Sequence, residues 1–93
     1  MSESKVQYKS STKIVQYILS EGYAATCTTH RGESCVHMKL RIMRQDHPEL
    51  YLVVFATAFP VQNKDEMTMA HNTVQKILHD PSTYNCFKEI YES

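Results

Sequence analysis

Glycine is scarce in this 93-residue chain, with two copies, and tryptophan is absent. With only Gly22 and Gly32, there is no glycine-rich loop to wrap a phosphate, which removes the nucleotide-binding motifs that depend on one. The three cysteines, Cys27, Cys35 and Cys86, cannot all pair within one chain and have no recognised metal-ligand spacing. Together with the lack of a basic-then-apolar leader, they point to a reducing, cytoplasmic setting. No apolar run approaches the roughly 20 residues of a membrane-spanning helix. The longest run, Leu50 to Phe59, has the length of a strand, so no membrane contact is expected. Net charge is zero, which argues against indiscriminate binding to polyanions.

The charge is unevenly placed. Residues 1–44 carry seven cations against three acids, and the remainder carries three cations against seven acids. Such polarity suits an anionic partner for the first half or contacts between copies.

Alternation is clearest over residues 24–42. Val36, Met38, Leu40 and Ile42 interleave with His37, Lys39 and Arg41, the period of a strand with one buried face. A two-residue turn at Gly32 and Glu33 would set Thr29 opposite Val36, Cys27 opposite Met38 and Ala25 opposite Leu40. The outer face then carries Thr26, Thr28, His30, Cys35, His37 and Lys39. A polar bend with Pro48 leads to a third strand, Leu50 to Phe59, which is apolar on both sides and ends at Pro60. Before the hairpin, Ser10 or Ser11 can cap a helix with Ile14, Val15, Ile18 and Leu19 as its stripe and Gly22 as its left-handed stop. After the sheet, Asn63 and Glu66 resemble a capping box, and Met67, Ala70, Val74, Ile77 and Leu78 form a buried stripe. Asp80 and Pro81 open a short last helix that packs through Phe87, Ile90 and Tyr91.

The expectation is therefore one α+β domain over residues 10–93, preceded by a loose arm over residues 1–9. Its order is α-β-β-β-α-α, a three-stranded antiparallel sheet with helices mainly on one face. This order is similar, in architecture alone, to that of double-stranded RNA-binding domains. Asn63, Lys64, Asp65 and Glu66 stand where those domains place lysines, so the likeness carries no function.

Four constellations could carry chemistry. His30, Cys35 and His37 share the outer hairpin face and are within reach of one zinc, but a fourth ligand is missing, so no metal is expected. Cys35 beside His30 resembles a thiolate pair without an oxyanion hole, and no catalytic residue is assigned. Arg31, His37, Lys39, Arg41 and Arg44 form a basic set suited to phosphates, with Tyr51 and Phe55 as stacking surfaces. Tyr51, Val53, Phe55 and Phe59, with Arg41 and Met43, form an apolar, arginine-bearing patch of the kind that binds protein. The reading that follows is a non-enzymatic binding or regulatory protein without a cofactor. It acts through its sheet on a protein partner or on itself as a homo-oligomer. Its size would also suit an inhibitor of viral or phage origin. Nucleic-acid binding is the alternative, and a hairpin zinc site the second.

Overall fold

The computed structural model describes residues 11–92, so the expected arm over residues 1–9 and the capping role of Ser10 lie outside the described residues. Four antiparallel strands run in sequence order, β1 (Ser11–Ile18), β2 (Tyr23–Arg31), β3 (Cys35–Arg44) and β4 (His47–Pro60). The helices α1 (Lys64–Leu78) and α2 (Ser82–Phe87) follow the sheet, and a wider helical turn, Lys88–Glu92, ends the described chain.

The sheet thus has four strands rather than three, because the segment expected to form the first helix is strand β1. Its apolar residues satisfy two periods at once. Ile14, Val15, Ile18 and Leu19 fit a helical stripe, but Val15, Tyr17 and Leu19 also alternate with Ile14, Gln16 and Ile18. Two β-branched residues side by side favour the extended form, and the neighbouring β2 supplies eight cross-strand partners, from Ser11 opposite Arg31 to Ile18 opposite Ala24. Gly22 has the left-handed backbone expected of it, at φ +83, but within the β1–β2 hairpin rather than at a helix end.

The β2–β3 hairpin turns at Glu33 and Ser34, with the Gly32 amide donating to the Cys35 carbonyl at 2.9 Å. Cys27 therefore faces Leu40, Thr29 faces Met38 and Ala25 faces Ile42. Moving the turn by one residue changes each partner by two, so every side chain keeps its expected face. Val36, Met38, Leu40 and Ile42 are all buried.

On that face α1 sets Ala70 and Val74 against Ala25, Cys27, Val36, Met38, Leu40 and Phe59. At the other end α2 sets Tyr84 and Phe87 against Tyr23 and Ile42. Each fully buried aliphatic side chain contributes roughly 1.5–3 kcal/mol of transfer free energy. Asn63 caps α1, its side-chain oxygen accepting from the Glu66 amide at 3.1 Å. The Asp80 carboxylate accepts from the Ser82 amide at 3.0 Å and starts α2. Of the three residues expected to pack at the chain's end, Phe87 is buried, Tyr91 packs its half-exposed ring 4.8 Å from that of Phe87, and Ile90 stays exposed.

Candidate functional site

Both helices pack on one side of the sheet, and neither covers the opposite side. Alternation decides what that open face carries. From β1 come Thr12, Ile14, Gln16 and Ile18, from β2 Thr26, Thr28 and His30, and from β3 Cys35, His37, Lys39, Arg41 and Met43. β4 contributes through a break in register. Leu40 faces Phe55 but Arg41 faces Val53, so Val54 is an extra residue and the strand turns over there. Ala56 and Ala58 lie on the open face beyond the bulge, and Tyr51 and Val53 lie on it before the bulge.

This bulge divides the patch expected from sequence. Tyr51 and Val53 are on the open face, 43% and 41% exposed. Phe59 is instead 3% exposed within the core, and Phe55 packs against the same core. A strict period of two put all four together, but the inserted Val54 sends the two phenylalanines to the helix side. Arg41 and Met43 remain with Tyr51 and Val53. Met43 is buried on this face, as is Thr26, whose hydroxyl lies 4.0 Å from the Met43 sulfur.

At the centre is an open depression of about 370 Å³ whose lining includes Thr28, His30, His37, Lys39, Arg41 and Tyr51. The Arg41 guanidinium lies over the Tyr51 ring, 5.1 Å from its centroid. Its Nε is buried without a hydrogen-bond partner among the described residues, so the group retains donor capacity for an incoming acceptor. β1, β2 and β3 contain no acidic residue, and Glu49 is the one acid of β4. The other acids of the described chain lie in the turns and in the helical segment after residue 60. Neither Lys39 nor Arg41 belongs to an ion pair among the described residues.

The basic set is divided as well. His37, Lys39 and Arg41 share the open face, but Arg31 falls in the opposite alternation at the exposed hairpin tip. Arg44 lies over the Tyr23 ring at 4.7 Å and pairs with Glu92 at 3.8 Å. The candidate metal ligands are rearranged by the register. His30 stands opposite His37, and Cys35 moves to the end of the hairpin beside Gly32. His30 Nδ1 lies 2.9 Å from the Thr12 hydroxyl, and no group of three or more His, Cys, Asp or Glu side chains converges among the described residues. No helix among the described residues is long and apolar enough to cross a membrane.

Sequence reasoning missed Ile14 and Ile18 on this face, having assigned both to a helix. The signal was present in the alternation of Thr12, Ile14, Gln16 and Ile18 with Lys13, Val15 and Tyr17. Compared with family models, curated proteins and solved structures, the chain matches none.

Proposed function

We propose that this chain is a non-enzymatic cytoplasmic binding protein that docks an acidic protein segment on the open face of its sheet. The observation that carries the reading is the pairing of Lys39 and Arg41, free of acidic partners among the described residues, with exposed Tyr51 and Val53 beside them. Cations surrounded by apolar side chains attract an acidic partner and hold it by desolvation once it has arrived. Three free thiols are in keeping with a reducing compartment.

Nucleic acid is the less favoured partner because Arg31 and Arg44 do not join the face and Tyr51 is its one tyrosine, phenylalanine or tryptophan among the described residues. A phosphate track needs a longer row of cations, and single strands need more than one stacking platform.

The test uses fluorescence anisotropy with three labelled probes: a short peptide of alternating glutamate and leucine, the same peptide with glutamine for glutamate, and an oligouridine. Preference for the glutamate peptide, lost by at least about tenfold in K39E/R41E, supports the reading. Equal binding of the two peptides removes the acidic class and keeps the docking face. Binding of the oligouridine alone overturns both.

A further inference from the structure

The two edges of the sheet are built differently. β4 is guarded: Pro48 and Pro60 stand near its ends, Val54 breaks the ladder, and the Tyr91 hydroxyl donates to the Tyr51 carbonyl at 2.9 Å. These are the devices by which proteins keep an edge from pairing with another chain. Among the described residues β1 has none of them. It pairs with β2 over eight positions without a shift, and its sequence contains no proline, glycine or acid and a single lysine. Ile14 and Ile18, on its open-face side, are 60% and 75% exposed, and Ile18 is the most exposed large apolar residue among those described.

We propose that the occupant of this edge is β1 of a second copy, added antiparallel about a two-fold axis through Gln16. This register places Gln16 opposite Gln16, Ile14 opposite Ile18 of the other copy, and Val15 opposite Tyr17. Directly opposed residues of an antiparallel pair share a face. The isoleucines therefore form two cross-strand pairs on the open face, one on each side of the glutamine pair, while Val15 and Tyr17 extend the covered face. No other two-fold register sets Ile14 against Ile18. Lys13 falls opposite Leu19, so the two lysines stand six residues apart along the ladder, about 20 Å at a strand's rise, and like charges are not opposed. The glutamine side chains at the axis can hydrogen-bond each other. The product is one continuous eight-stranded sheet. Because the contact is isologous, it consumes both unguarded edges and closes at the dimer. It uses the edge and not the depression, so it is independent of what docks on the open face.

Light scattering after size exclusion should give the mass of a dimer for the wild type and for K39E/R41E. I14K/I18K should give a monomer with an unchanged far-ultraviolet spectrum, because both side chains are exposed within a single chain. Register is read by cross-linking in a C35S/C86S background, where mild oxidation should join Gln16→Cys chains into a dimer and leave Lys13→Cys chains single. This second arm remains decisive if the double lysine variant fails to fold. A monomeric wild type at the highest soluble concentration overturns the proposal, as does a dimer that survives in I14K/I18K. Equal cross-linking of the two cysteine variants overturns the register.

Discussion

The Arg44 guanidinium lies over the face of Tyr23, its central carbon 4.7 Å from the ring centroid. Tyr23 is fully buried, stacked on Tyr84 at 4.7 Å and met edge-on by Phe87 at 5.6 Å. Its hydroxyl donates to Glu92 at 3.2 Å, and Glu92 also pairs with Arg44 at 3.8 Å. One ring thus ties the start of β2 to α2, to the end of β3 and to the terminal helical turn.

Tyr23→Ala is expected to cost about 3–5 kcal/mol, the range for truncating a buried aromatic ring. Tyr23→Phe, which keeps the stacking and removes the bond to Glu92, should cost about 1 kcal/mol. Urea denaturation followed by circular dichroism separates the two. Near-equal losses would mean that the hydroxyl, not the ring, carries the contact.

The three thiols should differ in reactivity. Cys35 and Cys86 are exposed and Cys27 is buried. Burial holds the Cys27 thiol above its ordinary value of 9.0, outweighing a hydrogen bond with Thr29 that acts in the other direction. A disulfide reagent should titrate Cys35 and Cys86 promptly in the native protein and Cys27 only on unfolding. Because the fold favours the neutral thiol, this contribution to stability is complete below the unfolded-state value and is lost as pH rises through the folded one. Cys27→Ala should therefore flatten the alkaline limb of a stability-against-pH curve, leaving the region below pH 9.0 unchanged in slope.

Asn63→Ala should cost about 1 kcal/mol, the usual value of a helix cap, since it removes the acceptor for the Glu66 amide at 3.1 Å. Asn63→Asp should retain the stability, as an acid at a helix start is favoured by the helix dipole. Thermal denaturation of the three proteins reads the order, and an alanine variant as stable as wild type would show the cap to be without consequence.

How much of this was legible beforehand varies with the kind of interaction that decides each element. The faces of β2 and β3 could be read because Val36 to Ile42 alternate without interruption, and parity survives a displaced turn. The start of α1 could be read because Asn63 and Glu66 act locally. β1 could not, because Ile14 to Leu19 fit both periods and the deciding contacts come from Ala24 to Arg31, up to 20 positions away along the register. The division of the β4 patch was illegible for another reason. Val54 has nothing about it to mark a bulge, and only the fit of Leu52 against Ile42 together with Phe55 against Leu40 requires one.

Val54 therefore offers a test of its own. Val54→Ala trims a half-buried side chain and should cost about 1–2 kcal/mol. Deleting the residue restores a strict period of two and must turn over either the half with Leu52 or the half with Phe55 and Phe59. A loss of about 4 kcal/mol or more is expected, because large apolar groups would move to water. Hydrogen exchange of β4 amides in the deletion variant should show protection lost on one side of the missing residue.

The order of elements also bears on how the chain comes off the ribosome. Each strand pairs with the one made just before it, so the sheet can form hairpin by hairpin as it emerges, with short loop closures throughout. The helices that cover Val36, Met38, Leu40 and Ile42 are encoded after residue 60. At synthesis rates of about 5–20 residues per second, roughly 2–6 s pass between the end of β4 and the Lys88–Glu92 turn, during which the meander lacks its full helical cover. The nascent sheet is thus the species most in need of a chaperone.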